Sequence, residues 1–299
     1  MTVATSEKLP PAWGTIIYMG IIHGLALFAL FPSNFNLGAL GVAFALYVLT
    51  AGVGITLGFH RLVSHRSYRV PKLLEYFLVF CGTLAGEGGP IDWVGLHRIH
   101  HQYSDQIPDP HNSLKGFYWS HLGWMLYDNP ANAHIARYTK DISRDRFYQF
   151  CQHGMVPIQL TLALLLYLWG GLPFVIWGIF VRLVVVFHCT WFVNSATHKF
   201  GYKSYESKDT SLNCWWVALL TFGEGWHNNH HAFQYSARHG LEWWEIDLTW
   251  MMIKTLSWLG LATKVKLPPD KVQEEISTRS LRFFVRDCWR GLNNYLNVP

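Results

Sequence analysis

Apolar residues gather into four long runs, with the polar residues between and after them. Trp13–Phe31 and Leu37–Phe59 contain no Asp, Glu, Lys or Arg; Gly154–Gly170 is a third run, and Leu172–Ser195 a fourth, broken only by Arg182. A helix needs roughly 20 apolar residues to cross the hydrocarbon core. The runs therefore predict four transmembrane helices, at about 13–31, 37–59, 154–170 and 172–195. The connectors within each pair, Pro32–Asn36 and roughly Trp169–Pro173, are short and free of Lys and Arg, which predicts two antiparallel hairpins. Arg182 is costly in an apolar helix unless it faces protein or water, and is expected to pack or to snorkel.

Shorter apolar stretches read differently. Leu73–Ala85 contains Glu75, and Leu212–Phe222 is shorter still, so both are expected to be interfacial or re-entrant helices. Leu241–Leu261 mixes paired tryptophans with Glu242, Glu245, Asp247 and Lys254, and predicts an amphipathic helix on the membrane or capping the rest; an ordinary core helix fits equally. Beyond Pro268-Pro269 the charged stretch Lys271–Arg290 predicts one or two further helices. The opening, Met1–Trp13, is short and polar, and no signal peptide is expected.

Charge sets the orientation. Of 24 Lys and Arg residues, all but Lys8 and Arg182 lie outside the spans and after the first hairpin. The positive-inside rule then places both termini and segments 61–153 and 196–299 on the cytoplasmic face. The expected fold is a single all-α, multi-pass integral membrane domain: four helices in two hairpins beneath a helical cytoplasmic cap. Composition agrees, with 14% charged residues against about 25% in a soluble domain. A net charge of +5 does not suggest nucleic acid. The five cysteines lie far apart with no Cys-x-x-Cys pair, so neither a thiolate zinc site nor a dithiol redox couple is expected.

The unusual residue is histidine. Half of the 16 fall into three clusters: His60 and His65; His97, His100 and His101; His227, His230 and His231. On a helix, residues three and four apart share a face, so each trio projects together. His60 and His65 are five apart and diverge on a continuous α-helix, which suits two centres or a helix end. Imidazole is the commonest metal ligand and serves Zn, Cu, Fe and Ni alike. Eight converging rings exceed the needs of one ion, so two ions are expected. Glu224, Asp105 and Asp109 flank the clusters as candidates to orient the rings.

With Gly58–Arg66, Asp109–Ser113, Ser120–Trp124, Asn194–His198 and Gly223–His231, the clusters resemble the membrane fatty acyl desaturases over roughly residues 15–260. Within that superfamily the chain is similar to the Δ9 class, which includes the stearoyl-CoA and cyanobacterial acyl-lipid desaturases. The resemblance implies a non-haem centre of two Fe ions that uses O2 and two electrons to place a cis double bond in a saturated C16 or C18 chain. It adds His198 as a ninth ligand and Asn194 as a ligand through water, dividing the histidines four and five. It also implies that Trp93 and Thr190 line the bend of an acyl tunnel. His111, His23, His121, His134, His153, His188 and His239 match no family ligand and are expected to be structural or surface residues.

One departure bears on the substrate. Where acyl-CoA members carry an Arg-Asp pair before the second cluster, this chain has Gly95 and Leu96, and Asp92–Arg98 looks like the cyanobacterial type. The resemblance therefore implies chains esterified in membrane glycerolipids, with the CoA ester as alternative. No His-Pro-Gly-Gly signature of a fused cytochrome b5 is present. The electron donor implied is ferredoxin, an acidic protein that a basic cytoplasmic surface would attract, with cytochrome b5 as alternative; anionic-lipid contact would explain the same basic surface. Rival readings are a related di-iron hydroxylase, ketolase or alkane oxygenase, and a histidine-rich metal transporter or sensor. A transporter would place polar groups near the bilayer midplane, whereas here the clusters lie outside the spans.

Overall fold

The computed structural model describes residues 9–275; the first eight residues and most of the Lys271–Arg290 segment lie outside them. The described chain is helical, with isolated bridges such as Arg69–Thr263 in place of strands. Among the described residues three helices are long and apolar enough to cross a membrane: Trp13–Leu30, Leu37–Ser64 and Arg146–His198. The first ends before Pro32, which opens a short turn. Asn36 then starts the second by accepting a hydrogen bond from Ala39 N.

The second helix departs from expectation in a way that matters for the site. It runs past Phe59 to Ser64, and from Val48 onward it is wound as a π-helix. A π-helix closes i→i+5 hydrogen bonds, as between His65 N and His60 O at 3.1 Å. A residue five positions along therefore sits roughly one turn above its partner rather than on another face. Gly54 and Gly58 let this helix meet Lys72–Thr83 at close range: a Cβ on Gly54 would lie 2.3 Å from Gly82 N. That shorter helix buries Leu78 and Val79 and exposes Leu73 and Phe77.

The third long helix starts eight residues before the predicted span, because Asp145 caps it by accepting from Phe147 N. It contains a break at Gly171, whose φ of 72° lies where glycine is at little cost. The arms on either side fold against each other. Gln159 Oε1 accepts from Arg182 at 3.2 Å, and Leu166 packs onto Gly178. Arg182 is fully buried and also donates to the carbonyls of Gly178 and Leu84. It packs within protein and does not snorkel.

A cap of shorter helices covers one end. Pro90–Tyr103 begins with proline at its first turn, where the missing N–H costs nothing. His227–Ala232 is a short helix held by its asparagines: Asn228 Oδ1 accepts from Ser204 and Tyr205, while Asn229 Nδ2 donates to His239 O and Glu245. Within the expected Leu241–Leu261 helix, only Leu248–Trp258 is helical. Its N-cap, Asp247, accepts from Trp250 N, and the preceding residues wrap around Glu245.

A candidate metal centre in the cap

The three clusters and His198 meet. His60 and His65 come from the end of the second long helix, and His97, His100 and His101 from Pro90–Tyr103. His198 ends the third long helix, and His227, His230 and His231 lie on the short asparagine-held helix. Ring nitrogens of His60, His65, His97, His101 and His230 all lie within 4.8 Å of one another. His100 groups separately with His198 and His227, and with His101 and His231. The nine rings thus fall into a set of five and a set of four joined at His101. Of the two readings of the His60–His65 spacing the helix end holds: the π-wound helix stops at Ser64 with His65 as its C-cap, and the two Nε2 atoms lie 3.2 Å apart.

The outward ring nitrogens fix which atom is free to bind. Nδ1 of His60 faces Glu224 at 2.8 Å, that of His100 faces Asp109 at 3.0 Å, and that of His231 faces Asp209 at 2.6 Å. His198 Nδ1 pairs with Thr210 Oγ1 at 2.9 Å, and Thr210 in turn donates to Asp105. A carboxylate can only accept, so these rings carry the proton on Nδ1 and turn the Nε2 lone pair inward.

The inward nitrogens crowd. Nε2–Nε2 distances are 2.8 Å for His65–His97, 2.9 Å for His101–His230, 3.2 Å for His60–His230 and His198–His227, and 3.4 Å for His100–His231. Two nitrogens each about 2 Å from one ion lie roughly 3 Å apart. Facing lone pairs repel, and a shared cation removes the repulsion. The donor set, all imidazole and backed by carboxylates, fits a pair of transition-metal ions.

Electrostatics agree. Burial opposes ionisation of Glu224, but the adjoining Arg61 guanidinium, together with His60 and His239, outweighs it and holds the carboxyl well below the usual range. Burial likewise opposes ionisation of Asp109 and Asp209, yet the adjoining His100 ring and the hydrogen bond from His231 lower them. Burial and neighbouring rings lower His97, His101, His227 and His230 well below the ordinary imidazole value. These rings stay neutral and able to bind metal at pH 7.

Beside the cage lies a cavity of about 560 Å³. Trp93, Thr190, Asn194 and His97 line it, with Tyr18, Met19 and Phe187 along its apolar side. Trp93 stacks on His97, with ring centroids 5.1 Å apart, and donates to Glu87 Oε2 at 3.1 Å. Burial pushes the Glu87 carboxyl up to about 7. Leu96 also faces the cavity, but Gly95 is buried under Ile135 and Thr139, where a Cβ would lie 2.7 Å from Ile135 Cγ2. No carrier-binding group fits at position 95.

Several participants escape sequence reading. Asp209 is one polar residue in a loop, and only the fold shows it against His231. His239 is fully buried against Glu224 at 3.0 Å, with its ring 4.3 Å from that of His230. His111 groups with His100 and Asp109, and its ring lies 4.1 Å from that of His100. His23, His188 and His121 form a hydrogen-bonded row, His23 Nε2 to His188 Nε2 at 3.2 Å and His188 Nδ1 to His121 Nε2 at 3.0 Å. His134 and His153 are surface residues, as expected.

Comparison with known proteins decides what this cage belongs to. The model of the family described as fatty acid desaturase matches residues 37–257. The chain belongs to the fatty acid desaturase family. This desaturase is 67% identical over 89% of its length to an sn-1 stearoyl-lipid 9-desaturase of Synechocystis sp., covering 84% of that protein. It is 63% identical to an sn-1 stearoyl-lipid 9-desaturase of Anabaena variabilis, over 91% of this chain and all of the other. An acyl-CoA C20 Delta5-desaturase of Anemone leveillei is 45% identical over 89% of this chain and 85% of its own.

Proposed function

We propose that this desaturase places a cis double bond at Δ9 of saturated C16 or C18 acyl chains esterified in membrane glycerolipids. The observation that carries the reading is the convergence of nine imidazole rings beside a cavity that reaches them at His97 and is lined by Met19, Phe187 and Trp191. In this reading His60, His65, His97, His101 and His230 hold one Fe ion. His100, His198, His227 and His231 hold the other, with Asn194 reaching it through water. When bound, the metal pair supplies the oxidising chemistry that takes two hydrogens from adjacent methylenes with reduction of O2.

The protein's own residues do the rest. Glu224, Asp109 and Asp209 keep Nδ1 protonated and the rings aimed inward. Trp93, held between His97 and Glu87, and Thr190, which bonds the same Glu87 carboxylate, bend the acyl chain so that its middle carbons lie by the cage. Met19, Phe187 and Trp191 close the cavity against water. The identity to two stearoyl-lipid desaturases supports the lipid-bound chain over the CoA ester, and so does the buried Gly95.

The same proposal extends to topology and partners. The two arms about Gly171 each cross the bilayer, making four spans in two hairpins, with the cage on the cytoplasmic face of a plasma or thylakoid membrane. Ferredoxin supplies the electrons. The purified protein, reconstituted with iron, ferredoxin, its reductase and either stearoyl-glycerolipid or stearoyl-CoA, tests the reading. Oleoyl-glycerolipid should form with two irons per chain; a hydroxylated product, turnover of the CoA ester alone, or one metal per chain would overturn it. Cysteines placed at Pro32–Asn36 and at Gly170–Leu172 should both react with a membrane-impermeant reagent only from the side opposite the cap.

A further inference from the structure

The cage has two approaches. The apolar-sided cavity reaches it at His97. A second cavity of about 370 Å³ reaches it at His65 and His101, between Ser64, Arg98, Gln102, Gln234 and Tyr235. The rim of this second approach is basic. Arg66 follows His65 and is 60% exposed. Lys266 N donates to Ser67 O, and Ala237 N to Lys266 O, each at 2.8 Å, so Lys266 adjoins both segments that form the opening. The mutual main-chain bonds of Arg69 and Thr263, also 2.8 Å, carry Arg69 and Lys264 along the same edge. Arg69, Lys264 and Lys266 are exposed. Of these four cations only Arg66 is in an ion pair among the described residues, with Asp141.

Reduction of O2 to two waters needs four electrons and four protons. The acyl chain gives two hydrogens, so two electrons and two protons come from elsewhere. Among the described residues the cysteines, Cys81, Cys151, Cys189 and Cys214, are buried and free, and they offer no thiolate set for a redox group. A partner must come to the cage, and it cannot come through the approach that the acyl chain fills.

We propose that the rim formed by Arg66, Arg69, Lys264 and Lys266 docks a small acidic one-electron carrier protein, and that electrons enter past His65 and His101. The inference deepens the desaturase reading and rests on it. Two dockings per turnover each oxidise the carrier by one electron and pass that electron to the group held in the cage, while two protons come from solvent. Lipid and carrier use separate openings, so they bind at the same time. A basic rim facing an acidic partner speeds encounter and makes it sensitive to salt.

The full chain in nanodiscs tests this, as wild type, as Arg69→Glu/Lys264→Glu/Lys266→Glu, as Lys264→Arg/Lys266→Arg, and as Lys115→Glu outside the rim. The probe is a [2Fe–2S] ferredoxin, read by direct binding and by KM and kcat with ferredoxin; a viologen–dithionite couple reads turnover without the carrier. For the triple variant, ferredoxin Kd and KM should rise roughly tenfold or more, and the salt dependence should flatten, with kcat and viologen-driven turnover unchanged. The arginine and Lys115 variants should behave as wild type. Unchanged ferredoxin affinity in the triple variant would overturn the proposal. So would an equal loss of viologen-driven turnover, or a loss confined to binding of phosphatidylglycerol vesicles. Wild-type protein that turns over with neither reductant sinks the desaturase reading instead, while the binding measurement still decides the rim.

Discussion

Nε2 of His65 and Nε2 of His97 lie 2.8 Å apart, although one ring belongs to a long apolar helix and the other to the cap. Neither atom has a better partner than a cation placed between them. His65→Ala should remove a ligand from the five-ring set. Metal content by mass spectrometry should fall by about one ion per chain, and desaturation by more than the roughly 10–100-fold that an outer partner is worth. A variant that keeps two ions and full activity would exclude His65 from the site.

The outer partners make a graded prediction. Asp209→Asn and Glu224→Gln keep size but weaken the hold on the Nδ1 protons of His231 and His60. Metal affinity should drop roughly 10–100-fold in each, measured by competition with a chelator. Excess metal should restore most of the activity, which it should not do for His65→Ala.

Packing makes the third. A methyl group on Gly54 would meet the backbone of Cys81 and Gly82 at 2.3–2.6 Å, and backbone cannot rotate away. Gly54→Ala should destabilise the protein by about 1–3 kcal/mol and lower Tm. Because this contact holds the π-wound helix that carries His60, metal affinity should fall with it. Gly88→Ala tests a different cost, since a Cβ there meets nothing within 4 Å and only its φ of 108° is strained.

Glu87 predicts a pH dependence. Burial raises its carboxyl to about 7 in the folded protein, above the ordinary carboxylate value near 4.3. A raised folded-state pKa means that this group's contribution to stability is fully present below the unfolded value and is lost as pH rises through about 7. Tm should therefore decline between pH 5 and 8, and Glu87→Gln should flatten that decline. Differential scanning fluorimetry across this range is the measurement, and an unchanged slope would show that Glu87 is ionised throughout.

Much of this was legible in the chain. Runs without charge marked the long helices, and i, i+3, i+4 spacing placed each histidine trio on one face. The break at Gly171 falls inside the connector read at roughly Trp169–Pro173. What escaped has physical causes. The relation of His60 to His65 depends on helix winding, and nothing in a stretch of apolar residues announces i→i+5 bonding. Asp209 and His239 stand outside the helix that carries the rings they touch, and a lone Asp or His in a loop carries no periodic signal. Arg182 was visible, but its partners, Gln159 and the Leu84 carbonyl, were not.

The carboxylates behind the rings also settle a matter of neutrality. In the proposed reading two divalent ions would bring four positive charges into the cage. Asp105, Asp109, Asp209 and Glu224 stand one imidazole away on all sides, and they supply four negative charges in return. The loaded cage would therefore be close to uncharged as a whole, and it could lie against an oily chain without drawing solvent toward the bond being made.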